Sequence, residues 1–258
     1  MATTIHHLNC VDIQSPGYGA AVGHCMLLEH TDRLVLIDTG TGLLDAARPD
    51  ERMGRQLIEL TGFRFDEQQT AKRQIEALGL DPGKVTDIVL SHLDPDHTGG
   101  LADFPQATVH VSEEEYEAFK HGNLRYLPAH LSHQPPIRTY AAVPDTWLGL
   151  EARRLDISLE PDLFLVPLFG HTAGHCGVVI STPGISIFYV GDAYYLREEL
   201  RNPRHPVTNL ARMRAENDNL RLDSLGKISK LIYENPALVI FGYHDPAEFA
   251  KFNQRKVL

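Results

Sequence analysis

Apolar positions along this chain recur at two spacings, and the changes between them mark out its elements. Residues 5–11, 24–29 and 33–38 are short runs of strand character, the last ending in the turn signal Asp38-Thr39-Gly40-Thr41-Gly42. Residues 69–80 take up helical spacing through Ile75 and Leu78, with Gly79 as a stop. Residues 85–91 and 108–111 are strands again. Ser112-Glu113-Glu114-Glu115 then opens a helix with a capping-box pattern, its charges expected to form a solvated first turn. From 121 to 146 the pattern dissolves into Pro, His and Tyr. A stretch of that length is expected to be a lid bordering a pocket, with Tyr126, Tyr140 and Trp147 as aromatic walls. Strands return at 163–168, 177–182 and 185–190. One or two amphipathic helices follow over 209–234, then a strand at 237–241 and a closing helix at 246–252. Several strands are joined by turns too short for crossovers. One α/β domain of sandwich type over residues 1–258 therefore fits better than a parallel doubly wound sheet.

The chemistry collects where strands end. His92-Leu93-Asp94-Pro95-Asp96-His97 follows the apolar run 85–91 and places two imidazoles and two carboxylates within six residues. Imidazole and carboxylate together suit first-row divalent metals. The competing local reading is a polar turn in which Asp94 or Asp96 caps a helix. The chain repeats the offer after later strands, in Gly170-His171-Thr172-Ala173-Gly174-His175, Gly191-Asp192-Ala193 and Gly242-Tyr243-His244-Asp245. Four His/Asp clusters at four strand ends favour a site. His121, His130 and His133 lack ligand spacing and are expected at the surface or a pocket rim. Asp245 is expected to cap the helix that begins at Pro246.

Bulk properties narrow the partners. The chain has 258 residues, enough for a substantial core, and a formal net charge of −10. That balance argues against a nucleic-acid or anionic-membrane surface, which wants clustered Lys and Arg. No apolar run is long enough to span a bilayer, and no basic segment leads into an apolar stretch at the start, so a cytoplasmic location is expected. Cys10, Cys25 and Cys176 are widely spaced, forming neither a disulfide framework nor a thiolate metal site.

Together the motifs resemble the metallo-β-lactamase-fold hydrolases, whose αββα sandwich carries a metal site at one edge of its two sheets. The family's H-x-H-x-D-H motif is present with Asp94 in the place of the second histidine, and the later ligands match His171, Asp192 and His244. The resemblance implies two divalent ions: one held by His92, Asp94 and His171, a second by Asp96, His97 and His244, with Asp192 bridging. Zinc is the first expectation; Asp94, a harder donor, brings manganese or iron into play. Asp38 and His175 would orient ligands. Tyr195, three residues beyond Asp192, is similar to a tyrosine of the N-acyl-homoserine lactone lactonases, the quorum-quenching branch, that reaches the substrate carbonyl. The expected function is a dinuclear metal hydrolase that opens a lactone or related ester of a small molecule. In it Asp96 carries a proton and Tyr195 stabilises an oxyanion. Thioester hydrolysis of the glyoxalase II type, a di-iron oxidoreductase and a metal-containing ligand-binding protein are the alternatives. Asp94 motivates the di-iron reading, because the flavodiiron branch also carries an acidic residue there.

Overall fold

The computed structural model describes residues 3–182 and 185–253. Its strands are β1 (Thr4–Ser15), β2 (Gly19–His30), β3 (Arg33–Ile37), β4 (Phe63–Arg64), β5 (Val85–Val89), β6 (Thr108–Ser112) and β7 (Ile137–Tyr140), which form one sheet in the order β4-β1-β2-β3-β5-β6-β7. A small hairpin, β8 (Thr146–Trp147) and β9 (Leu150–Glu151), leads into the second sheet. That sheet runs in sequence through β10 (Arg153–Arg154), β11 (Asp162–Pro167), β12 (Cys176–Thr182), β13 (Ile185–Tyr189) and β14 (Val239–Phe241). Hairpin-joined strands pair antiparallel. The pairs β3/β5, β5/β6, β6/β7 and β13/β14, whose connections carry helices, run parallel.

The helices are α1 (Leu43–Ala47), α2 (Pro49–Arg52), α3 (Arg55–Thr61), α4 (Ala71–Ala77), α5 (Pro95–Thr98), α6 (Glu113–Lys120), α7 (Pro206–Arg214), α8 (Asp218–Glu234) and α9 (Pro246–Asn253). The expected helical region 209–234 is thus two helices, parted after Arg214, with Asn217 accepting from the Leu220 amide to cap the second. The short helices α1 to α3 were not anticipated.

The period of two explains the layering. Leu163, Leu165, Val178, Ile180 and Tyr189 of the second sheet share one core with Met26, Leu28, Val35, Ile37 and Ile88 of the first. The residues between them, Val166, Val179 and Phe188, face the other way and pack with Leu225, Ile228 and Leu231 of α8. In the first sheet, 25–28 and 34–37 are buried without alternation, so both faces are covered; Ala71 and Ile75 of α4 pack there. Each such aliphatic side chain contributes about 1.5–3 kcal/mol on leaving water. The result is the expected αββα sandwich. Its two sheets are tied at one edge, where the Cys176 amide donates to the Ser91 carbonyl at 2.9 Å. The chain leaves β3, β5, β11, β13 and β14 at that edge, carrying the motif residues with it.

Candidate metal centre

The first motif is built on the end of β5. Asp94 is the N-cap of α5 and Pro95 occupies its first turn, but the Asp94 side chain makes no cap bond. Its carbonyl takes the His97 and Thr98 amides instead. Asp94 thus holds the N-cap position without capping through its side chain, and the carboxylate turns inward. The two glycines of the Gly170–Gly174 loop permit close approach. Gly170 has φ +125°, and a Cβ there would lie 2.1 Å from the Arg221 amide; one on Gly174 would lie 2.1 Å from that of Glu115.

All seven expected donors converge in one buried cluster. Nε2 of His171 lies 3.2 Å from Oδ2 of Asp94 and 3.4 Å from Oδ2 of Asp192; Nε2 of His92 is 3.4 Å from Oδ2 of Asp94. Nε2 of His244 is 3.1 Å from Oδ2 of Asp192 and 3.5 Å from Oδ2 of Asp96, and Nε2 of His97 is 3.5 Å from Oδ1 of Asp192. The donors fall into two groups, His92 with His171 and Asp192, and Asp96 with His97 and His244, each within 4.8 Å. Asp94 borders the first group, and Asp192 faces both.

The far sides of the rings decide what these contacts mean. Nδ1 of His97 donates to Asp38 at 2.8 Å and Nδ1 of His244 to the Val22 carbonyl at 3.0 Å. The Ser91 hydroxyl spends its proton on Asp38 at 2.7 Å and so accepts from Nδ1 of His92 at 3.0 Å. Each Nε2 is then a lone pair aimed at carboxylate oxygens. Nε2 of His92 and of His97 and Oδ1 of Asp192 are buried with no hydrogen-bond partner. Donor spacings run from 3.1 Å for His244 and Asp192 to 4.0 Å for His92 and Asp192, around the edge, about 3.3 Å, of a tetrahedron with metal–ligand bonds of about 2.0–2.1 Å. The residues fit a pair of divalent metal ions.

Electrostatics point the same way. Burial would depress His97, yet Asp38, Asp192 and Asp96 hold it well above its usual value. Burial and then His97 push His92 well below. Burial opposes the charge on Asp192, but His244 and His97 keep it well below the usual carboxylate range. Arg125 answers the charge of Asp94; the other two buried carboxylates, Asp96 and Asp192, call for a further cation.

Asp38 has φ +54°, a conformation Asp tolerates better than most side chains. It also accepts from Tyr189 at 2.5 Å and from the Ser91 amide at 2.8 Å. His175 donates from Nδ1 to the Leu168 carbonyl at 2.9 Å and accepts the Asp192 amide on Nε2 at 3.0 Å, so it holds the backbone of Asp192. Asp245 caps α9 through the Ala247 and Glu248 amides.

Several expectations change. Glu115 is not in a solvated turn: it is fully buried and accepts from the Leu93 amide, the Gly174 amide and the Thr172 hydroxyl, joining two of the motif loops. His130 is buried too, 2.8 Å from the Thr98 hydroxyl and 3.3 Å from Asp45. The stretch 121–146 is no lid. Tyr126 is buried in the core, Tyr140 stacks on His110, and Trp147 packs against Phe188. A cavity of about 380 Å³ opens on the site from the other side. Its apolar walls include Ile13, Leu60, Phe63, Val207, Leu210 and Met213, and Asp94, Asp96, Asp192, Tyr195 and His244 line it as well. The Tyr195 ring lies 5.1 Å from that of His244 and 5.8 Å from that of His171, whereas the Tyr194 hydroxyl is bound to Glu248 at 3.0 Å. Arg125, whose guanidinium grips both oxygens of Asp94, stands in no motif of the sequence.

Comparison with known proteins accords with this arrangement. The chain matches the metallo-beta-lactamase superfamily over residues 18–244 and belongs to it. It is 36% identical over 256 residues to a protein of Mycobacterium tuberculosis described as a probable metallo-hydrolase, covering 94% of this chain and 80% of that one. It is 28% identical over 233 residues to the N-acyl homoserine lactonase AttM of Agrobacterium fabrum, covering 88% and 83%. Among solved structures, an N-acyl homoserine lactone hydrolase with N-hexanoyl-L-homoserine at its catalytic metal centre superposes with a TM-score of 0.73. It has 20% identity, covering 100% of this chain and 98% of that one. Among the described residues no helix is long and apolar enough to cross a membrane.

Proposed function

We propose that this protein is a dinuclear metal-dependent hydrolase that opens a lactone or a related ester. The observation that carries the reading is the set of buried, unpartnered lone pairs on His92, His97 and Asp192, beside an apolar cavity that Asp96, Asp192 and Tyr195 also line. When bound, two divalent ions supply Lewis acidity and an activated water; zinc suits the imidazoles, and Asp94 widens the choice to manganese or iron. The likeness to a lactonase and to a lactone hydrolase supports the substrate class.

The chain's own groups do the rest. The apolar walls take the hydrocarbon part of a small substrate and exclude water around it. Tyr195 donates its hydroxyl to the carbonyl oxygen as charge develops there. Burial, and then Asp192, hold that phenol well above its usual value, so it remains a donor. Asp96, whose Oδ2 lies 3.5 Å from Nε2 of His244, carries a proton to the leaving oxygen in this reading.

The test is a pH-indicator screen of metal-loaded protein over lactones, esters and thioesters. Lactone opening that disappears on chelation and returns with metal is the expected result. Preference for thioesters would assign the glyoxalase-type activity instead, and no turnover on any class by protein holding two ions would remove the hydrolase reading.

A further inference from the structure

Arg125 lies in the segment after α6, with its side chain 15% exposed and four polar contacts inside the site. Nε donates to Oδ1 of Asp94 and Nη2 to Oδ2 at 2.5 Å, a two-pronged grip on one carboxylate. Nη2 also lies 2.8 Å from Nε2 of His171, and Nη1 donates to the carbonyl of Arg214, the last residue of α7 and part of the cavity wall. The carboxylate oxygen nearest His171 and His92 is therefore the one that Nη2 holds.

We infer that Arg125 and Asp94 act as one unit that takes the place of a neutral histidine in the first metal group. Asp94 alone adds a negative charge to a cluster that already holds two carboxylates. The guanidinium returns the local charge to that of an imidazole and fixes Oδ2 toward His92 and His171. Arginine suits the task because its fork matches a carboxylate and its charge is permanent. Arg125 is a positioning residue here. Its anchor on Arg214 also couples the first metal group to the cavity wall.

The consequence is a sign that reverses with the partner. With Asp94 present, Arg125→Gln loses compensation and orientation, and affinity for the more weakly held ion falls about ten- to a hundredfold, the usual cost of removing a group that holds a ligand. With Asp94→His, Arg125 becomes an unpaired cation beside the ion, so that single change also weakens binding. Arg125→Gln then restores it.

The inference rests on the dinuclear reading, and one experiment separates the two. Metal stoichiometry by elemental analysis and affinity by chelator competition are measured for the wild type, Arg125→Gln, Asp94→His and the double variant. Arg125→Lys is added as a variant that keeps the charge and loses the fork. Circular dichroism of each confirms the fold. Two ions in the wild type, losses in both single variants, recovery in the double variant and an intermediate value for Arg125→Lys are expected. Equal losses from Arg125→Gln in both backgrounds, with two ions in the wild type, would make Arg125 a packing residue and overturn the inference alone. One ion in the wild type rising to two in Arg125→Gln would show the guanidinium replacing an ion, which overturns it too. No metal in any variant would sink the dinuclear reading itself.

Discussion

Oδ2 of Asp38 lies 2.8 Å from Nδ1 of His97, so the other ring nitrogen, Nε2, faces the carboxylates of Asp96 and Asp192. The same oxygen accepts from the Ser91 hydroxyl and from Tyr189, while Oδ1 accepts the Ser91 amide. Every partner is a donor. Asp38→Asn must therefore turn an amide N–H₂ toward one of them, whichever way it is oriented. The expected outcome is a drop of about ten- to a hundredfold in metal affinity with the fold retained. Chelator competition measures it; wild-type affinity would reduce Asp38 to a turn residue.

The adjacent tyrosines Tyr194 and Tyr195 have different surroundings, Glu248 for the first and the cavity for the second. Tyr195→Phe is expected to lower turnover on lactones by about a hundredfold or more while metal content stays unchanged, because a well-aligned donor to a developing oxyanion is lost. Tyr194→Phe removes a buried hydrogen bond to Glu248, which costs about 0.5–1.5 kcal/mol, with turnover per folded molecule preserved. Steady-state kinetics beside thermal melts distinguish them. Equal turnover in Tyr195→Phe and wild type would return that residue to packing.

Glu115 supplies a pH dependence. Burial pushes it up to about 7, against the pull of its Thr172, Leu93 and Tyr126 partners. Its unfolded value is about 4.3, so over the interval between the two the folded state holds the extra proton. The contribution to stability is full below about pH 4.3 and is lost as pH rises through about 7. Glu115→Gln mimics the protonated acid and should flatten that part of the profile for metal-free protein. Melting temperatures between pH 5 and pH 8 test it: an identical slope in the variant would place the titration elsewhere.

How much of this was legible depended on whether chemistry stayed local in sequence. The seven donors could be read because each motif directly follows an apolar run, and turns too short for crossovers pointed to the sandwich. Glu115 was missed because a capping pattern already accounted for it. Ser112 does accept the Glu115 amide at 3.2 Å, but the carboxylate reaches across to 93 and 172–174 instead of back to the helix start. Arg125 carries no local pattern; its meaning comes from Asp94, thirty-one residues earlier. The cavity wall lies in a different segment from the one the sequence suggests, for a similar reason. Irregularity in 121–146 suggested a lid, whereas the wall is formed by the β1–β2 hairpin, α3 and α7, which only the fold brings together.

Removing the metal is the broadest test of the centre. Without a metal ion, lone pairs on His92 and His97 face the carboxylates of Asp94, Asp96 and Asp192 inside a buried volume, and Arg125 answers only Asp94. Protons can relieve that only in part, and His97 and His244 are the rings whose values rise. An ion present at about a thousand times its dissociation constant stabilises the folded state by about 4 kcal/mol. For a chain of this size that is about 10 °C in melting temperature. Chelation should therefore lower the melting temperature by about that amount, and two equivalents of metal should restore it. His97→Ala and His244→Ala, which remove donors from the second group, should each bind fewer equivalents and show a smaller response to chelation. Elemental analysis and thermal melts on the same samples provide both readouts. A wild-type melting curve indifferent to chelator, with the chelator shown to leave no metal bound, would mean that the buried donors are stable by themselves and that the centre has been misassigned.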